Sequence, residues 1–188
     1  SNLNISKIPD LHDDLKELSM YCNKITLIPG NLPNNLKKLD LSFNLITSIP
    51  TNLPNSLEKI DLSFNLITSI LINLPDSLEK LILTNNRITS IPIINHNKLR
   101  ELDLSHNQIT SIINGFPNSI TILHINFNKL TSFPNLPNKL QELYIDSNRI
   151  TSIPTTLPNT LRKLNISNNN ITSIPNNLPD SLEKLIIS

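Results

Sequence analysis

At 188 residues, with 16 basic against 15 acidic side chains, the chain carries a net charge of about +1, which excludes the long-range field that draws a protein to nucleic acid or an anionic membrane. A single cysteine, Cys22, excludes an intramolecular disulfide framework and points to a reducing interior, the cytoplasm of the cell or of a host. No apolar run approaches the roughly 20 residues that span a bilayer, the first residues do not resemble a signal peptide, and the missing initiator Met and the stop at Ser188 point to a piece of a longer protein.

The N-terminal segment, residues 1–14, contains ISKIPDLHDD, the second half of a phrase that then recurs in full. Full units open at Leu15, Leu36, Leu57, Leu78, Leu99, Ile120, Leu140 and Leu161, and a partial unit runs over 182–188. Each step is 21 residues, except for a step of 20 after Ile120 that shortens the stretch between Pro134 and Leu136. A fixed period near twenty predicts stacked supersecondary units, so residues 1–188 are read as one elongated repeat domain.

Apolar residues return at positions one, four, six, eleven and fourteen of each unit. The alternation in LKKLDLS predicts a short strand in every unit, with Leu39 and Leu41 inward and Lys38, Asp40 and Ser42 outward. Strands entering in one direction, a whole turn of chain apart, make the sheet parallel. Position nine is always asparagine: Asn23, Asn44, Asn65, Asn86, Asn107, Asn128, Asn148 and Asn169. A side-chain amide there can satisfy backbone groups of its own and the neighbouring coil, so the eight are expected to form a ladder. Thr47 and Ser48 are expected to do similar work on the outer turn.

The return half, I-P-x-x-L-P, fixes φ twice, at Pro50 and Pro54 in the second full unit, which predicts extended or polyproline-like backbone there rather than helix. Some units depart from the phrase. Leu71 and Ile113 replace the first proline, Phe116 replaces the leucine, and IPIINHNK puts Asn95 and His96 where the L-P pair stands, leaving Ile93 or Ile94 to fill the core. The final LEKLIIS ends in an apolar strand, an edge able to pair with more chain or with a second copy.

The pattern L-x-x-L-x-L-x-x-N-x-I/L resembles that of leucine-rich repeats and covers Leu15 to Ser188 with the half unit before it. The short period and the LPNSL and LPDSL phrases resemble those of bacterial effectors, and the Asn- and Ile-rich wording resembles repeat proteins of giant viruses that infect amoebae. The resemblance implies a leucine-rich repeat solenoid, of the right-handed β-α superhelix class, with a parallel sheet on its concave face and little helix on its convex side. It also implies a non-enzymatic scaffold that holds a protein or peptide, with no cofactor, metal, nucleic acid or membrane involved. Some relatives carry a ubiquitin-ligase domain after the repeats, so the alternative is a substrate-recognition arm of a larger enzyme; a third reading is self-assembly through the end strand.

Positions three, five and seven of each strand are the expected binding columns. In them Ile82, Asp103, Ile122, His124, Asn126, Tyr144 and Asp146 come together, with His106 beside them, and an aromatic next to an aliphatic and a histidine makes an interface anchor. The other reading is a solvated face on which His124 pairs with Asp103. Phe43, Phe64 and Phe127, at position eight, form a secondary rim where strand becomes loop, partly buried by stacking. Cys22 and His106 lie four units apart, roughly 19 Å by strand separation, too far for a nucleophile and its base. The lysines of column three alternate with acids, unlike a phosphate-tracking groove. Sequons at Asn4, Asn165 and Asn170 are expected by chance in so Asn-rich a chain.

Overall fold

The computed structural model describes residues 3–71 and 73–188. Nine strands of three residues each lie in one parallel sheet, in chain order: β1 (Glu17–Ser19), β2 (Lys38–Asp40), β3 (Lys59–Asp61), β4 (Lys80–Ile82), β5 (Glu101–Asp103), β6 (Ile122–His124), β7 (Glu142–Tyr144), β8 (Lys163–Asn165) and β9 (Lys184–Ile186). Among the described residues there is no helix, so none is long and apolar enough to cross a membrane. The chain is a solenoid of about eight turns, sheet on one side and extended return segments on the other.

The inner coils bury the same apolar positions, with position fourteen opening to half-burial at Ile112 and Phe133 and to exposure at Ile174. In the second full unit Leu36, Leu39, Leu41, Ile46 and Ile49 are all buried, and each lies over its counterpart in the next coil. Burying a side chain of this size stabilises the fold by about 1.5–3 kcal/mol, so the core is a continuous rod. The shortened step leaves the register intact: Ile122, Leu123 and His124 face Glu142, Leu143 and Tyr144. Where the L-P pair is missing, Ile94 enters the core and Ile93 stays exposed.

The asparagine ladder forms as expected. Asn65 Oδ1 accepts from Ile46 N at 2.9 Å, one coil back, while its Nδ2 donates to Leu41 O and Leu62 O at 3.0 and 3.1 Å. The same set recurs at Asn44, Asn86, Asn107, Asn128, Asn148 and Asn169. Asn23 opens it by accepting from Ile5 N at 3.0 Å.

Two expectations about local geometry are corrected. Thr47 and Ser48 are exposed and make no side-chain hydrogen bond among the described residues; serines and threonines just before position one link the coils instead, as Ser56 Oγ does by donating to Leu36 O at 2.7 Å. Ser42 does not face outward but is buried, as are Ser63, Ser105 and Ser167 at the same position. The cause is position eight, where Cys22, Phe43, Phe64, Asn85, His106, Phe127, Ser147 and Asn168 all have φ between 51° and 54°. That left-handed residue turns the chain sharply out of the strand, so the alternation of faces stops after position six. His96, standing for a proline, holds its turn through the ring: Nδ1 accepts from Leu99 N at 2.9 Å, and Nε2 lies 2.9 Å from Pro75 O on the coil before.

Candidate functional site

Column five carries Ser19, Ile82 and Ile186 on β1, β4 and β9, and in the other six strands it is built in two ways. In four coils an Asp or Asn at position five reaches forward to the serine two residues on. Asp103 Oδ1 accepts from Ser105 N at 2.9 Å and from Ser105 Oγ at 2.5 Å, and Asp40, Asp61 and Asn165 do the same for Ser42, Ser63 and Ser167. This bond satisfies the backbone at the sharp turn and leaves one carboxylate oxygen toward the open face. The D-x-S phrase at 40–42, 61–63 and 103–105 carries that signal in the sequence.

β6 and β7 break the phrase. His124 and Tyr144 replace the acid, and their rings stack with centroids 4.5 Å apart and planes 3° from parallel. His124 therefore pairs with Tyr144 and not with Asp103. Tyr144 Oη donates to Glu142 Oε2 at 2.9 Å, and Glu142 Oε1 accepts from Lys163 Nζ at 2.9 Å, which fixes the tyrosine ring from below. The Lys163 hydrogen bond holds the Glu142 carboxyl below its ordinary value, with the Tyr144 hydroxyl adding to it. Burial, then Glu142 itself, pushes the Tyr144 hydroxyl up.

Column seven changes at the same two coils, carrying Asn126 and Asp146 in place of serine. Asn126 Oδ1 is buried with no hydrogen-bond partner among the described residues. Asp146 is only 9% exposed, so its expected place on the contact surface is corrected: with the turn at position eight closing over it, the carboxylate sits under the sheet rim. There it accepts from Asn165 Nδ2 at 2.8 Å. Burial holds it above the ordinary carboxylate range, with the hydrogen bonds from its own backbone N–H and from Ser147 and the nearby charges of His106 and His124 working the other way.

The remaining expected residues separate into two places. Ile82, Asp103 and Ile122 share the concave face with His124 and Tyr144, with Ile82 directly beside Asp103 and Asp103 beside His124. His106 does not belong to that patch. It occupies the left-handed position eight, is exposed, and stacks on Phe127 with centroids 4.1 Å apart. Phe43 and Phe64 stack likewise at 4.0 Å, so the rim carries two ring pairs. Among the described residues no three His, Cys, Asp or Glu side chains converge as a metal set. In column three Lys38 pairs with Glu17, Lys80 with Glu101 and Lys163 with Glu142, at 2.7, 2.6 and 2.9 Å.

Models of the leucine-rich repeat family match residues 35–55, 76–118, 97–138 and 138–187, more than half of the chain. The chain is a leucine-rich repeat protein. No curated protein sequence is significantly similar to it. Among solved structures, this leucine-rich repeat chain is similar to YopM, a leucine-rich effector protein from Yersinia pestis, at 30% identity and a TM-score of 0.83 over 95% of this chain and 49% of that one. It is also similar to the repeat domain of a Shigella effector, at 28% identity and a TM-score of 0.74 over 86% of this chain and 72% of that one. A structure of the LRIM1/APL1C complex matches at 26% identity and a TM-score of 0.79, covering 93% of this chain and 35% of that one. The chain thus spans about half the length of the Yersinia protein it matches. These comparisons carry the effector side of the resemblance; the likeness to giant-virus repeat proteins stays an expectation of the sequence.

Proposed function

We propose that this leucine-rich repeat solenoid is a non-enzymatic scaffold that holds a protein or peptide along its concave sheet, in a reducing cell interior, with β5 to β8 as the contact centre. The observation that carries this reading is the break in column five. Four coils repeat an acid or amide tied to serine, which serves the turn, whereas β6 and β7 give up that bond for a stacked His124 and Tyr144 half-buried on the open face. Aromatic anchors of this kind dominate interface energetics, since they cover much area and lose little rotamer freedom. The family's use as interaction modules supports the reading, as does the solution of one relative as a complex.

Affinity capture from the source cell tests it. His124→Ala and Tyr144→Ala are expected to release the captured protein while the fold, read by circular dichroism, is kept. Retention of the partner by both variants, and by others across columns three and five, contradicts the concave assignment.

A second reading, the recognition arm of a larger enzyme, is favoured by the Shigella match, itself one domain of an effector. A catalytic domain in the reading frame beyond Ser188 supports that arm, and a stop codon removes it.

A further inference from the structure

The open face around Asp103 is short of hydrogen-bond donors. Columns three and five together carry six carboxylates against five lysines, although the whole chain has a net charge of +1. The lysines nearest the centre are committed, Lys80 to Glu101 and Lys163 to Glu142. Asp103 spends Oδ1 on Ser105, and among the described residues its Oδ2 has no donor.

Shape narrows the donor further. Asp103 stands in column five between Ile82 on β4 and His124 on β6, so its free carboxylate oxygen is flanked by these two side chains, and the space over it between them is the notch. One face of the His124 ring is covered by Tyr144 on β7; the other therefore looks across β5, into the notch. A floor of negative charge with one aliphatic and one aromatic wall matches a planar cation, whose edge donates while its faces lie against apolar surface.

We propose that the notch over Asp103, between Ile82 and His124, binds a basic side chain of the partner polypeptide, arginine in preference to lysine. This assignment rests on the concave reading above and names the chemistry that site takes. Arginine leads because its guanidinium is flat, weakly hydrated and carries five donors, whereas the lysine ammonium is a compact, strongly hydrated point charge.

Pools of short fluorescent peptides test it, with the central residue fixed as Arg, Lys, Gln or Glu, the others randomised, and binding to the whole chain followed by anisotropy at low ionic strength. The Arg pool is expected to bind about tenfold more tightly than the Gln pool, with Lys between them and Glu weakest. Asp103→Asn should bring Arg within about twofold of Gln. That variant is expected to fold, because Asn165 already holds Ser167 in the same way. Asp61→Asn, two strands away, should leave the preference in place. Equal binding of the four pools, no binding by any, or a preference that survives Asp103→Asn overturns the proposal. If the preference is missing but Tyr144→Ala still weakens binding of the pools, only the basic residue is lost. If Tyr144→Ala and His124→Ala both leave pool binding unchanged, the concave reading fails as well.

Discussion

Asn107 Oδ1 accepts from Ile88 N at 2.9 Å, one coil back, so a side chain at the turn of one unit closes the backbone of the unit before it. Its Nδ2 donates at the same time to Leu83 O and Leu104 O at 2.9 and 3.1 Å. Replacing Asn107 by Ala orphans the Ile88 N–H in the dry core, while Leu83 O and Leu104 O each keep one amide, from Asn86 and Asn128. The loss is expected to be about 1–3 kcal/mol, the cost of one buried orphan. Asn23→Ala, at the half-exposed start of the ladder, should cost less. Urea denaturation of the two variants checks the order, and equal losses would contradict a ladder that spans coils.

The His124 and Tyr144 rings should matter less to folding than to binding. A stacked pair contributes about 0.5–1.5 kcal/mol beyond area burial, and cross-strand pairs fall in the same range. A double-mutant cycle with His124→Ala and Tyr144→Ala is therefore expected to return a coupling of about 1 kcal/mol, no more than the cost of an interior asparagine. A coupling several times larger would make the pair a structural clamp.

Asp146 should be a liability at neutral pH. Because burial raises its folded-state value above that of the unfolded chain, its contribution is favourable while it is protonated and is lost as pH rises through the raised value. Asp146→Asn is therefore expected to raise the melting temperature at pH 7, with the gain shrinking as pH falls below the carboxylate range. Glu142 runs the opposite way. Its value is lowered by Lys163, so the stability it lends is present above about pH 4.3 and is lost as pH falls through the lowered value. Glu142→Gln should cost stability at pH 7 and little at low pH. Thermal melts across that window check both signs.

Phe43 sits at φ 54°, where a side chain of its bulk is strained, and is 47% exposed. Asn85 and Asn168 show that asparagine occupies the same turn. Phe43→Asn relieves strain of about 1–2 kcal/mol and gives up a stack on Phe64 of about 0.5–1.5 kcal/mol. The net change in stability by urea denaturation is expected to lie within about 1 kcal/mol. A loss well beyond that would make the ring part of the core.

The period, the strands, their parallel register and the ladder were legible because each rests on a spacing that recurs in every unit, and the shortened step after Ile120 could be placed because only a return segment tolerates it. The second half of each strand was not legible. Alternation predicts an outward Ser42 and Asp146, and nothing in a run such as DLSFN states that Phe43 adopts left-handed φ; the hint lay in Asn85 and Asn168 standing at the same place. Partner choice among rings was equally hidden: the repeat puts His106 at position eight and His124 at position five, but only the left-handed turn at position eight shows that the first stacks at the rim, apart from the second. Gly115 was another silent requirement. Its φ is 70°, and an added Cβ would come within 3.2 Å of Asn135 O on the next coil.

The concave assignment is tested most directly by amide hydrogen exchange of the chain with and without its captured partner. The account predicts slowed exchange confined to β5 through β8 and the turns that follow them, centred on His124 and Tyr144. Protection confined to the return segments, with those strands exchanging as in the free chain, would contradict it.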